Sequence, residues 1–150
     1  MNVLFSLWQW LRGDERAVET ARVAHVIDGD SIRLEDGREV RYIGVDAPEL
    51  VREEPWASRA RAANVRLVEG KRVRLEREVS QVDRYGRLLR HVYVGRRWVN
   101  GWLVEQGFAR ARLYPPDVQR GEELTALQKQ AQARGRGMWG RKRPWWQFWR

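Results

Sequence analysis

The stretch that decides the fold, residues 23–45, reads VAHVIDGDSIRLEDGREVRYIGV. The types of side chain alternate with a period of two residues both before and after the dipeptide Asp28-Gly29. A period of two places successive side chains on opposite faces of a β-strand. A second dipeptide, Asp36-Gly37, is typical of the tight turn of a hairpin. This stretch therefore predicts consecutive strands joined by tight turns.

Beyond this stretch, apolar spacing predicts three helices and two further strands. In the first helix, Ala60, Ala63 and Leu67 recur every three or four positions, which places them on one helix face. In the third helix, Leu124, Leu127 and Ala131 are expected to be buried. The predicted elements are a helix over residues 56–69, strands at residues 73–75 and 88–94, a short helix over residues 99–106, and a third helix from its cap Asp117 to Gly135.

The order of these elements is strands, helix, strands, helix, helix. This order predicts an α+β fold that is mainly β, a five-stranded antiparallel barrel of the OB type with three packed helices. The length of 150 residues suits one domain with short tails. We therefore expect an apolar, Trp-containing segment over residues 1–16, the globular domain over residues 17–140, and a cationic, Trp-rich tail over residues 141–150.

Charge and composition narrow the classes of function. The formal net charge is +9, and residues 134–150 carry six basic side chains and no acidic one. An excess of positive charge favours polyanionic partners such as nucleic acid or an anionic membrane surface. The chain has no cysteine, which excludes disulfides, cysteine-ligated metals and a thiol nucleophile. With only two histidines, any metal must be bound by oxygen atoms.

Four clusters hold candidate catalytic residues: the turn around Asp30, the strand residue Arg41, the segment of residues 46–49, and the segment of residues 83–87. Taken singly, each is an ordinary turn, loop or strand feature. Taken together, they supply carboxylates for a hard divalent cation, arginines for a phosphate and a further carboxylate for a water molecule. These are the groups required to stabilise the transition state of phosphodiester hydrolysis.

Three segments, VIDGDSIRL (residues 26–34), VRYIGVDAPE (residues 40–49) and DRYGRLL (residues 83–89), resemble the signature segments of the staphylococcal nuclease family. The similarity extends through VNGWLVEQGFARA (residues 99–111) to GMW (residues 137–139). The resemblance implies an OB-fold barrel with three helices and Ca²⁺-dependent hydrolysis of phosphodiester bonds in DNA and RNA. It also implies low sequence specificity and products that end in a 3′-phosphate.

The resemblance further implies roles for individual residues at the reaction centre. Arg41 and Arg87 would clamp the phosphate, and Glu49 would be the general base or would position the attacking water. The metal ligands would be the carboxylates of Asp30 and Asp46 and the carbonyl of Ala47, with Asp28 supporting that site from nearby.

The expected substrate-binding residues are Arg84, Tyr85 and Tyr114. Arg84 stands where the best-known member of the family has a lysine that contacts the nucleotide, which keeps the charge but changes its geometry. The best-known member has two tyrosines near the segment LYPPD, where this chain has Tyr114 and, in place of the other, Leu113. The two histidines, His25 and His91, lie in strand patterns and are not assigned to the site.

Two alternatives stay open at this point. The first is a non-catalytic OB-fold module that only binds nucleic acid, although such modules usually lose the carboxylates or the arginines. The second is an envelope-associated protein whose main role is membrane contact. A monomer is the expected state of the chain.

The termini allow three interpretations, because five of the nine tryptophans lie in the first ten or last six residues. They pack against each other, anchor the chain at an anionic membrane interface, or add affinity for nucleic acid. The first eleven residues make a poor signal peptide, since no basic region precedes them and no cleavage pattern follows. Because calcium is scarce in the cytosol, an extracytoplasmic or envelope location is favoured over the cytoplasm.

Overall fold

A computed structural model describes residues 18–140. The predicted terminal segments, residues 1–16 and 141–150, lie outside the described residues, and so do the interpretations that concern them. The strands are β1 (Val18–Asp28), β2 (Ser31–Leu34), β3 (Glu39–Tyr42), β4 (Val45–Asp46), β5 (Arg72–Glu76), β6 (Leu88–Val94), β7 (Arg97–Trp98) and β8 (Arg110–Ala111). The helices are α1 (Ala57–Val68), α2 (Val99–Glu105) and α3 (Gly121–Ala133), followed by a 3₁₀ turn at Gly137–Trp139.

Five strands close into a barrel. The long strand β1 pairs with β2 on one side and with β5 on the other, and these continue to β3 and β6. The strands β3 and β6 then pair with each other and close the ring. The predicted five-stranded barrel with three helices is confirmed.

One pairing of the barrel differs from the antiparallel prediction. The closing pair, β3 with β6, is parallel, with Val40 opposite Leu88. The reason is geometric, because a closed ring with an odd number of strands cannot reverse direction at every step. The four remaining pairings of the ring are antiparallel.

The core occupies the barrel interior and the contact between the barrel and the helices. The dipeptide turn between β1 and β2 comes very close to helix α1. A Cβ atom added to Gly29 would lie 2.8 Å from the Cβ atoms of Ala47 and Ala60. The largest fully buried apolar side chains are those of Tyr42, Ile32, Leu34, Leu75, Leu103 and Leu124.

Asn64, fully buried on α1, ties the helix to the barrel. Its amide nitrogen donates to the carbonyl of Asp28 at 2.9 Å, and its amide oxygen accepts the hydroxyl of Tyr42 at 2.8 Å. A buried amide with both ends satisfied holds its partners in one arrangement. Asn64 thereby fixes the end of β1, from which the segment Asp28-Gly29-Asp30 begins.

The start of the third helix corrects a prediction. The helix begins at Gly121 and has no side-chain cap, so Asp117 is not its N-cap. Instead, Oδ1 of Asp117 accepts the backbone N–H groups of Val79 at 3.0 Å and Ser80 at 2.9 Å. The Asp117 carboxylate thereby holds the loop after β5 in place. A capping pattern concerns neighbouring residues only and does not reveal this contact. Leu127 is only partly buried, whereas the prediction placed it in the core.

Within residues 18–140, the longest helix has 13 residues, and none of the helices there is long and apolar enough to cross a bilayer.

Candidate active site

Arg41 lies at the centre of the candidate site. Its Nη2 atom is 3.3 Å from Oδ2 of Asp30 and 3.4 Å from Oδ1 of Asp46. Its Nη1 atom donates to the carbonyls of Tyr42 at 2.8 Å and Val45 at 2.7 Å. Only 14% of the side chain is exposed. Four oxygen atoms therefore hold the guanidinium in one orientation.

Asp30 is buried beside this guanidinium. Its Oδ2 atom accepts the backbone N–H of Ala47 at 2.7 Å, and among the described residues its Oδ1 atom has no hydrogen-bond donor. Burial raises the pKa of Asp30 above its ordinary value, although Arg41 and the N–H of Ala47 oppose this effect. Burial also raises the pKa of Asp28, and the nearby charge of Glu49 raises it further.

The donor set around Asp30 fits a hard divalent cation. The carboxylates of Asp30 and Asp46 converge on the same nitrogen of Arg41, and the backbone of Ala47 is hydrogen-bonded to Asp30. These groups offer oxygen atoms only, which is the preference of Ca²⁺, and water completes such shells. Within residues 18–140, no three acidic or histidine side chains form a metal cluster, so waters would supply most of the ligands.

Arg87 is positioned by a turn that Asp83 organises. Oδ1 of Asp83 accepts the backbone N–H groups of Tyr85 at 2.9 Å and Arg87 at 3.0 Å, and Oδ2 accepts Nε of Arg87 at 2.7 Å. Gly86 takes the positive φ of 80° that this turn needs. Partial burial opposes ionisation of Asp83, but the donors of Arg87 bring its pKa below the ordinary value. The carboxylate stays charged and holds the guanidinium.

A cavity of about 560 Å³ opens beside these groups. Its wall carries four arginines and two aspartates, together with three tyrosines and several apolar side chains. The exposed fraction is 67% for Tyr85 and 54% for Tyr114, so their rings are available to a ligand. The charged and aromatic residues of the wall are Arg41, Tyr42, Asp83, Arg84, Tyr85, Arg87, Arg112, Tyr114 and Asp117.

The structure brings most of the predicted site residues together. Five of them line the cavity, namely Arg41, Arg84, Tyr85, Arg87 and Tyr114. Asp30 and Asp46 contact Arg41, and Ala47 contacts Asp30, so the predicted metal ligands border the cavity through the Arg41 side chain.

Glu49 lies apart from this group. Its carboxylate pairs with Arg52 at 3.2 Å, its side chain is 44% exposed, and it is not part of the cavity wall. Its backbone N–H donates to Glu54 at 2.7 Å, which closes the loop on itself. The charge of Glu49 acts on Asp28, but within residues 18–140 the Glu49 side chain forms no ion pair with Arg41 or Arg87.

Sequence reasoning missed Arg112 and the role of Asp83. Arg112 follows the short strand β8, which pairs with β4, and its Nη1 atom donates to Oδ2 of Asp46 at 3.1 Å. No motif marks Arg112, since its partner lies 66 residues away. The role of Asp83 could have been predicted from the sequence, because an aspartate that begins a turn containing glycine often accepts backbone N–H groups within that turn.

Known proteins are similar to this chain over most of its length. A family model described as "Staphylococcal nuclease homologue" matches residues 39–141. The chain belongs to the staphylococcal nuclease family. A thermonuclease of Staphylococcus hyicus is 38% identical over 128 residues, covering 81% of this chain and 76% of the relative. A thermonuclease of Staphylococcus intermedius is 33% identical over 154 residues, covering 93% of this chain and 92% of the relative.

A more distant member, endonuclease YncB of Bacillus subtilis (strain 168), is 28% identical over 137 residues and is covered to 65% of its length. Family membership and these relatives support a hydrolytic nuclease function for the chain. The resemblance stated from the sequence motifs is therefore confirmed.

Proposed function

We propose that this nuclease is calcium-dependent, hydrolyses phosphodiester bonds of DNA and RNA with low sequence specificity, and leaves 3′-phosphate ends. One observation carries the proposal: Arg41 and Arg87 share a cavity, and two carboxylates converge behind Arg41. An extracytoplasmic location, where calcium is available, belongs to the same proposal.

The arginines bind and orient the phosphodiester. A guanidinium presents a planar fork that matches two phosphate oxygens and stays charged at every relevant pH. Arg41 and Arg87 are each held by carboxylates, so little side-chain freedom is lost when the phosphate arrives. Their charge is placed to stabilise the additional negative charge that develops on phosphorus-bound oxygens in the transition state.

Asp30, Asp46 and the carbonyl of Ala47 are the proposed cation ligands. These oxygen atoms would hold a calcium ion, and its positive charge would polarise a phosphate oxygen. The chain's own contribution is to orient these oxygens, since Arg41 and the N–H of Ala47 hold Asp30 in place.

Glu49 is the proposed general base or the residue that positions the attacking water. As a base, its carboxylate accepts a proton from water while the water oxygen forms a bond to phosphorus. The bond between phosphorus and the 5′-oxygen breaks, and that oxygen takes up a proton from solvent to become a 5′-hydroxyl. The phosphate then remains on the 3′-oxygen. To bind this water, the Glu49 carboxylate must break its ion pair with Arg52. An exposed ion pair of this kind contributes only about 0–1 kcal/mol to stability, so breaking it costs little.

The decisive experiment is digestion of single- and double-stranded DNA and of RNA, with calcium or with EGTA. We expect cleavage of all three substrates with calcium, loss of cleavage in EGTA, and DNA products that a polymerase extends only after phosphatase treatment. Undiminished cleavage in EGTA contradicts calcium dependence, and direct extension contradicts the 3′-phosphate. Binding without cleavage in calcium would favour the non-catalytic module instead.

A further inference from the structure

Arg112 occupies a place on the cavity wall that neither the sequence motifs nor the proposed reaction uses. The pairing of β8 with β4 sets Arg110 opposite Asp46, and the backbone N–H of Arg112 donates to the carbonyl of Gly44 at 2.8 Å. These backbone contacts fix the start of the Arg112 side chain next to Gly44 and Val45, which also line the cavity. The arginine is therefore built into the wall and is not a freely placed surface residue.

Only part of the Arg112 guanidinium is engaged. Nη1 donates to Oδ2 of Asp46 at 3.1 Å, whereas Nε and Nη2 have no acceptor among the described residues. The side chain is 58% exposed, compared with 14% for Arg41, which shares the same aspartate. An arginine has five N–H donors, so most of those on Arg112 are open to a ligand in the cavity.

The ring of Tyr114 supports this guanidinium. The Cζ atom of Arg112 lies 5.3 Å from the centroid of the Tyr114 ring, and Arg84 lies 4.8 Å from the ring of Tyr85 in the same way. All four residues line the cavity and come from two separate segments. Each segment thus pairs a guanidinium for a phosphate with an exposed ring for a base or sugar.

The cavity is larger than one phosphate requires. Arg41 and Arg87 already supply two guanidinium groups for the phosphodiester that is cleaved, and the volume is about 560 Å³. A polymer that enters the cavity must also place neighbouring phosphates along its wall. Arg112 is a further cavity arginine next to Arg41, because the two arginines contact different oxygens of the Asp46 carboxylate.

We propose that Arg112 is a phosphate-binding residue that holds a phosphodiester adjacent to the one at Arg41 and Arg87. The inference rests on the proposed function, since it takes nucleic acid as the polymer. Arg112 extends the substrate footprint to more than one phosphate, and Tyr114 keeps its guanidinium in place. The contact contributes affinity for the strand and not chemistry.

The test measures binding without cleavage. The full-length chain carrying Glu49→Gln, in EDTA, is titrated into a fluorescently labelled 12-nucleotide single strand at several NaCl concentrations, and Kd is read from anisotropy. We expect Arg112→Gln to raise Kd by about three- to tenfold and to reduce the slope of log Kd against log salt by about 0.7, as for the loss of one phosphate contact. Arg112→Lys keeps the charge and is expected to retain the slope.

The matched control is Arg33→Gln. Arg33 is 49% exposed and pairs with Glu39 at 2.8 Å, but it is not part of the cavity wall, so its Kd and slope are expected to stay at the parent values. An unchanged Kd and slope for Arg112→Gln, or changes equal to those of Arg33→Gln, would overturn the proposal.

Two further outcomes separate this inference from the proposed function. If Arg112→Gln lowers the unfolding temperature but leaves Kd unchanged, Arg112 only braces Asp46 and the proposal is wrong. If Arg112→Gln does not fold, Arg112→Lys decides, because loss of the planar fork must still raise Kd above that of Arg33→Lys. A parent chain that binds no strand at all contradicts the nucleic-acid substrate itself, whereas a binding parent with an indifferent Arg112 contradicts only this inference.

Discussion

Nη2 of Arg41 lies 3.3 Å from Oδ2 of Asp30, and both side chains are largely shielded from solvent. A buried carboxylate without a partner is costly, so the guanidinium is also a structural partner of Asp30. The same guanidinium faces the cavity. Arg41 therefore both stabilises Asp30 in the barrel and lines the cavity where we propose that phosphate binds.

We expect Arg41→Ala to lower kcat by at least ~10²-fold, because it removes a preorganised transition-state donor. We also expect it to lower the free energy of unfolding by about 1–3 kcal/mol, since Asp30 loses its charged partner and the carbonyls of Tyr42 and Val45 lose their donor. Oligonucleotide hydrolysis and urea unfolding measure the two effects. A variant that is as stable as the wild type would contradict the structural half of this prediction.

Arg87→Ala is expected to lower kcat by at least ~10²-fold while leaving the fold intact. Arg87 is 30% exposed, and its guanidinium bonds only to Asp83 among the described residues. Its loss therefore leaves a partly hydrated carboxylate and not a buried one. Kinetics and circular dichroism measure this, with Arg96→Ala, an exposed arginine in the turn between β6 and β7, as the control. Activity within tenfold of the wild type would remove Arg87 from the reaction.

Glu49→Ala is expected to lower turnover by at least ~10²-fold with little effect on stability, because the side chain is half-exposed and, within residues 18–140, pairs only with Arg52. Glu53→Gln, in the same loop, is the control and should keep wild-type activity. Hydrolysis rates at saturating substrate give the comparison. Equal rates for Glu49→Ala and Glu53→Gln would show that the base or water-positioning group lies elsewhere.

Calcium is expected to raise the unfolding temperature of the wild type, because a ligand that binds only the folded state stabilises it by about 2.7 kcal/mol at a hundredfold excess over Kd. Asp30→Asn should abolish this shift, since it removes a proposed ligand. Asp36→Asn, at an exposed turn, should keep it. Thermal unfolding with and without calcium is the measurement, and it needs no substrate. A full calcium shift in Asp30→Asn would place the ion outside the Asp30 site.

His91 predicts a pH dependence of stability. Burial lowers the pKa of His91 below its ordinary value of 6.5, although a contact with Glu78 opposes this shift. Its Nδ1 atom accepts the N–H of Trp98 at 3.1 Å, and this contact requires that nitrogen to be unprotonated. As the pH falls below 6.5, the unfolded chain gains a proton that the folded chain does not, so the free energy of unfolding decreases.

Urea unfolding at pH 7.5 and pH 5 tests this dependence, with His91→Gln as the comparison. The variant is expected to lose part of the decrease, because the side chain at position 91 no longer takes up a proton. The same decrease in both proteins would assign the acid sensitivity to other groups.

Local patterns in the sequence predicted more of the fold than of the contacts within the site. The strands around Asp28-Gly29 and the three helices follow from periodicity and turn chemistry, which act over a few residues. Asp117 shows where such patterns are insufficient. Its position before a helix is typical of a cap, yet its carboxylate accepts N–H groups 37 and 38 residues away. A local sequence pattern does not show whether such a carboxylate caps the following helix or accepts N–H groups from a distant loop.

The sequence by itself determined the order of the elements and, through contiguous motifs, the candidate residues Asp30, Arg41, Asp46 and Arg87. Only the tertiary structure decided that Arg112 shares Asp46 with Arg41 and that Glu49 is not part of the cavity wall. The physical reason is that β8 meets β4 only when the chain has folded around the closed barrel. Contacts across such distances depend on how the elements pack, and residue spacing along the chain does not encode them directly.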